Sequence, residues 1–204
     1  RLCISDDFRS RFSPHSRVLS FHEVTAVPTD SAFQMSASNI RFGPGTTAEV
    51  GLDLRAMEVR RTLVVIDPKL KSLPTGQTVL DSLKSNGIDF DVFDGVSVEP
   101  TDRSFQEATR CATEGGFDSF VAVGGGSTID TAKAANLYAT HPADFYEYVN
   151  APIGRGQPVP GPLKPLIAIP TTAGTGSETT GVAIFDELER KAKTGIAHRY
   201  LKPT

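Results

Sequence analysis

Three consecutive glycines, Gly124, Gly125 and Gly126, stand between an apolar run and a helix-forming segment in the stretch FVAVGGGSTIDTAKAAN, Phe120 to Asn136. A strand that feeds a helix through such a turn presents the helix N-terminus, with free N–H groups and partial positive charge, beyond the strand end. That is a setting for phosphate, and the missing side chains let phosphate oxygens reach the amides. The competing reading is a tight turn with no ligand. Ser127 follows, suited either to cap the helix or to give its hydroxyl to a phosphate. Asp130 falls on the first helical turn, where it either faces a ligand or favours the helix terminus electrostatically. The pattern is not G-x-G-x-x-G, because Ile129 stands where the last glycine would fall, and no Gly-Lys-Ser/Thr makes it a P-loop.

Two further groups accompany the glycines. Asp67 ends the apolar run Leu63–Ile66, and a carboxylate at a strand end can accept hydrogen bonds from a ribose diol while disfavouring a 2′-phosphate. It precedes Gly124 by 57 positions, whereas the acidic residue of the usual dinucleotide motif follows the glycines by roughly 20, so a different topology is expected. The alternative is a solvated Asp turning into Pro68. PTTAGTGSETT, Pro170–Thr180, follows the apolar run Leu166–Ile169 and is small and polar throughout. Its hydroxyls and open amides suit phosphate and ribose; the alternative is a polar surface loop. The histidines, His15, His22, His141 and His198, form no metal-binding pair, and there is no G-x-S-x-G elbow. The residues can hold a cofactor but display no reaction centre.

The elements that must position these groups follow from pattern. A strand is expected over FQMSASNIRFG, then a helix from Thr46 or Thr47 through Met57 with Leu52, Leu54 and Ala56 on its buried side. Strands are expected at Thr62–Ile66, Ile88–Phe93, Phe120–Val123 and Leu166–Ile169. Helices are expected within Thr75–Asn86, from Thr101 or Asp102 through Glu114, and from Ser127 to Tyr138. Gly181–Asp186 and Lys193–Ala197 read as a hairpin. Strands alternating with helices predict an α/β fold: a Rossmann-like parallel sheet with helices on both faces, plus a β-hairpin.

The totals exclude other classes. A net charge of −3 offers no footprint for nucleic acid, and the apolar runs are far shorter than the roughly 20 residues that span a bilayer. Cys3 and Cys111 make neither a disulfide framework nor a metal cluster. Arg1, Arg9, Arg11 and Arg17 with several serines suggest an organelle transit peptide, although Asp6 and Asp7 are unusual in one. Residues 1–30 are therefore expected to be a tail or transit peptide, with the α/β domain at 31–204. Arg rather than Met at position 1 carries the expectation of a fragment.

GGGS-x-x-D at Gly124–Asp130, followed by IPTTAGTGSE at Ile169–Glu178, resembles the iron-dependent (group III) alcohol dehydrogenase family. SNIRFG, VEPTD and LKPLIAIPTTAGTGSETTGVAIFD are similar to a mitochondrial branch of it, and the likeness runs from about Ser31 to Thr204. The resemblance implies an oxidoreductase with an N-terminal NAD-binding domain and a C-terminal helical domain. Asp67 would then contact the adenosine ribose; Gly124, Gly125, Gly126 and Ser127 would hold the diphosphate; Asp130 would lie on the nicotinamide side. Thr171, Thr172 and Thr175 would line the cleft, and Lys193 would reach a ribose. Two departures stand out: Val98-Glu99, where many relatives carry Pro-Asn with the Asn near the adenine, and Val182, where some have a polar nicotinamide contact. The expected cofactors are NAD(H) and, only in a full-length enzyme, a divalent Fe or Zn on ligands from the helical domain, none of which this chain carries.

The branch implies oxidation of 4-hydroxybutyrate to succinate semialdehyde, coupled to reduction of 2-oxoglutarate to 2-hydroxyglutarate. Expected partners are small hydroxyacids and oxoacids and further copies of the chain in a homo-oligomer. Nucleic acid and membrane are not expected. The alternatives are another iron-type alcohol dehydrogenase, a nucleotide-binding module without activity, and an enzyme of the dehydroquinate-synthase type.

Overall fold

A computed structural model describes residues 38–204. The tail or transit peptide expected at residues 1–30 lies outside the described residues, as do Phe33–Ala37 of the first expected strand. The described remainder of that strand is irregular, with Ile40 and Phe42 exposed, because it has neither a ladder partner nor a buried face.

Chain order is α1 (Val50–Ala56, entered through a 3-10 turn), β1 (Arg61–Ile66), α2 (Pro74–Ser85), β2 (Asp89–Phe93), α3 (Asp102–Gly115), β3 (Ser119–Gly124), α4 (Gly126–Thr140), β4 (Leu166–Pro170), β5 (Val182–Glu187) and β6 (Ala192–Ala197). The starts and stops have local causes. Pro74 opens α2, where its missing N–H costs nothing. Thr101 caps α3: its Oγ1 accepts the Ser104 N–H at 3.1 Å while Ser104 Oγ accepts the Thr101 N–H at 2.8 Å. The left-handed Gly116 closes that helix. In α1 the buried side is Val50, Gly51 and Leu54, not the expected Leu52, Leu54 and Ala56. A helix buries positions three to four apart, so a period of two could not hold; Leu52 is exposed.

β2, β1, β3 and β4 form a parallel sheet in that lateral order. Successive side chains leave opposite faces. Leu63, Val65, Phe120 and Ala122 join Ala108 and Ala112 of α3 and Ile129, Ala132 and Ala135 of α4. Val64, Ile66, Val121 and Val123 join Leu54 of α1 and Val79 and Leu83 of α2. Burial on both faces is why LVVI and FVAV are continuous apolar runs.

β5 and β6 pair antiparallel and lie over α4, where Phe185 and Ile196 pack with Ala134, Leu137 and Tyr138. Helix α4 is therefore sandwiched between sheet and hairpin, and every residue from Thr128 to Tyr138 is buried. Its small, weakly amphipathic sequence follows from having no solvent face.

Candidate cofactor site

The sheet order creates the site. The chain leaves β1 toward β2 on one side, while β3 returns on the other. Such a reversal opens a crevice beyond the carboxyl ends of the two central strands. Asp67 and Gly124 occupy those ends. The Asp67 N–H donates to Val123 O at 3.1 Å, and the Thr171 N–H donates to Gly124 O at 3.0 Å. Three loops thus start side by side on one sheet edge, spanning about 10 Å at ordinary strand spacing. This accounts for the long separation of Asp67 from the glycines. In the usual motif the glycines end the first strand and the acid its neighbour. Here the acid ends β1 and the glycines end the neighbouring β3, so chain order is reversed but adjacency is kept.

Space is tight at the glycines, while their backbone conformation does not call for glycine. A Cβ on Gly125 would lie 2.9 Å from Thr172 Oγ1, and one on Gly126 would lie 3.1 Å from Ser177 Oγ and 3.2 Å from Thr175 Cβ. Gly125 is extended, at φ −81° and ψ −170°, which any residue adopts. The loop after β4 is therefore seated directly on the glycine turn, and the two of the three expected threonines nearest the turn, Thr172 and Thr175, face it. No side chain caps α4. Thr128 and Ile129 both donate to Gly125 O, so the Gly126 and Ser127 amides are left at the terminus with no acceptor in the helix. Ser127 does not cap: its hydroxyl donates to Val98 O, fastening the loop after β2 to the same turn.

The other candidates separate by burial. Asp67 is half-buried, and its Oδ1 accepts the Lys69 N–H at 2.8 Å, shaping the exit from β1. Lys193 is exposed and pairs across the hairpin with Asp186 at 3.0 Å. The Asp186 N–H in turn donates to Pro100 O at 2.8 Å, so this rung abuts the loop that reaches Ser127. Asp130 is buried. One oxygen faces Lys133 Nζ at 3.4 Å and the other accepts the Ile184 N–H at 3.1 Å, and the Ser177 side chain beside the carboxyl favours its charged form. Burial pushes the Asp130 carboxyl up and the Lys133 amine down, against their mutual attraction. Asp94, beyond β2, is held below the usual carboxylate range by its hydrogen bond from Lys71.

Lys133 and Val98 escape a reading by motif, and Ser177 enters it only as one hydroxyl among several in PTTAGTGSETT. Val98 acts through its carbonyl, which side-chain identity does not reveal. The only signal for Lys133 is a charge three residues after Asp130 in a helix with no other charged residue. A cavity of about 530 Å³ lies elsewhere, along the outer edge of β4 between Ile40, Phe42, Met57, Ile167 and Thr204. Among the described residues no group of three or more His, Cys, Asp or Glu side chains could hold a metal ion, and no helix is long and apolar enough to cross a membrane.

Fold and site together define an open parallel α/β domain with a crevice at the switch point of its sheet. The sequence matches the iron-containing alcohol dehydrogenases over residues 37–204, and the chain belongs to that family. It is 62% identical over 177 residues to the mitochondrial hydroxyacid-oxoacid transhydrogenase of Bos taurus, a match covering 86% of this chain and 38% of that protein. Among solved structures it is similar to NADH-dependent butanol dehydrogenase A from Thermotoga maritima, with a TM-score of 0.77 and 26% identity over 84% of this chain and 42% of that one. It is similar also to sulfoacetaldehyde reductase from Bifidobacterium kashiwanohense in complex with NAD+, with a TM-score of 0.72 and 27% identity over 80% of this chain and 42% of that one. The chain thus spans about two fifths of the length of these relatives.

Proposed function

We propose that residues 31–204 are the NAD(H)-binding domain of a mitochondrial hydroxyacid-oxoacid transhydrogenase. The observation that carries this is the convergence of Asp67, the uncapped terminus behind Gly125 and Gly126, and the threonine-rich loop at one switch point. The carboxylate of Asp67 suits the adenosine ribose and repels a 2′-phosphate. The amides of Gly126 and Ser127 suit the diphosphate, with Thr171, Thr172 and Thr175 as the facing wall. Ser127 contributes its amide, since its hydroxyl is committed to Val98, and Lys193 is the candidate for a ribose contact from the hairpin side. Asp130 approaches the nicotinamide side only through what it holds in place.

Bound NAD(H) would supply the hydride chemistry; the residues present bind and orient it. The described residues do not offer a ligand set for the family's metal, so no step is assigned to one here. The transhydrogenase reading, its hydroxyacid and oxoacid substrates and the mitochondrial location rest on the bovine relative and its printed name. A second reading, another alcohol dehydrogenase of the family, is supported by the name of the butanol dehydrogenase neighbour.

The test is titration of the 204-residue chain with NADH and NADPH, followed by nicotinamide fluorescence. Binding of NADH in preference to NADPH is expected. A folded sample that binds neither would overturn the cofactor reading.

A further inference from the structure

Lys133 is fully buried, in the middle of a helix whose one other charged side chain is Asp130. Its Nζ donates to Val182 O at 2.7 Å and faces Asp130 Oδ1 at 3.4 Å. Asp130 completes the arrangement by taking the Ile184 N–H, with the Ser177 side chain beside its carboxyl. Two neighbouring side chains of α4 therefore grip the start of β5 at two backbone positions and the loop before it at Ser177.

That loop has little else to hold it. At its start the Thr171 N–H bonds to Gly124 O, and at its end the His198 N–H bonds to Gly181 O. Between them the bonds run within the loop, from Thr179 and Thr180 to Gly176 O, and residues 171–175 are exposed. Yet this loop approaches the glycine turn to within 2.9 Å of the Gly125 Cβ position. A buried ion pair is a poor way to gain stability, because desolvation offsets the attraction and apolar residues of similar volume do as well. Its distinctive capability is directional: it fixes donors and acceptors at set positions.

We propose that Lys133 and Asp130 are positioning residues that latch loop 171–181 and the start of β5 to α4, and so set the gap between that loop and the glycine turn. The inference rests on the reading of that gap as the diphosphate site.

The test combines hydrogen exchange of the 204-residue chain with NADH titration. Lys133→Met keeps length and bulk but removes the donor. Amides of residues 174–184 should exchange at least about tenfold faster, with β1 and β3 unchanged, because opening becomes local. The NADH dissociation constant should rise at least about tenfold. If Lys133→Met does not fold, Ser177→Ala removes one grip outside the helix. It should loosen residues 174–180 and weaken NADH, while Ser177→Thr, which keeps the hydroxyl, should restore both. Unchanged loop exchange in a folded variant overturns the latch, and so does loosening that leaves NADH affinity at the parental value. If the parent binds no NADH but the variants still release the loop, the latch stands and the cofactor reading fails.

Discussion

Alanine at each of the three glycines should separate folding from cofactor binding, because each methyl group meets a different obstacle. At Gly124 it would lie 2.3 Å from Thr128 Oγ1 and 2.7 Å from Thr128 Cβ. Thr128 is buried in the first turn of α4, so the helix itself must shift, at a cost of about 1–3 kcal/mol or more. At Gly125 the obstacle is the hydroxyl of the exposed Thr172 at 2.9 Å, which can rotate away. The backbone there suits alanine, and the loss of unfolded-chain freedom returns about 0.4–1 kcal/mol, so the net change should be within about 1 kcal/mol of zero. Gly126, with contacts at 3.1–3.2 Å, should fall between. Binding should order differently. If the diphosphate lies at the Gly126 and Ser127 amides as proposed, a methyl group on Gly125 obstructs its approach, and NADH affinity should fall at least about tenfold, or 1.4 kcal/mol. Urea unfolding measures the first quantity and NADH fluorescence the second. If Gly125→Ala unfolds as easily as Gly124→Ala, the packing argument is wrong. If it is stable and binds NADH like the parent, that glycine serves the neighbouring loop and not a phosphate.

Three further outcomes follow from the geometry. Asp67→Ala should raise NADPH affinity relative to NADH by about tenfold or more, through loss of the repelling carboxylate, and competition titration reads that ratio. Thr101→Ala removes the capping box of α3 and should cost about 1 kcal/mol, seen as a melting point lower by about 2–4 °C in a domain of this size. Tyr138 is buried and donates to Phe145 O, and burial holds its phenol above the ordinary value of 10.0. The folded state then keeps a proton that the unfolded chain loses, so this contribution is complete below pH 10.0 and is lost as pH rises beyond it. Urea midpoints measured on either side of pH 10 should decline less steeply in Tyr138→Phe than in the parent.

Much of this was legible in the residues alone. LVVI and FVAV announce strands covered on both faces, Thr101 and Gly116 bracket α3, and the glycines and PTTAGTGSE each mark a turn at a strand end, the two turns the structure sets against one another. Those signals are local: they depend on side-chain period, capping chemistry and the backbone freedom of a few residues. Even so, local pattern failed at Leu52, where helical period decides burial, and at Ser38–Phe42, where alternation without a partner makes no strand. Only the tertiary structure decided that Asp67 and the glycines are lateral neighbours, because lateral strand order is a property of the sheet and not of spacing along the chain. Only it showed that Ser127 spends its hydroxyl on Val98. And only it revealed that Lys133, with no solvent to reach inside the sandwich of sheet and hairpin, must find its partners on β5 and Asp130.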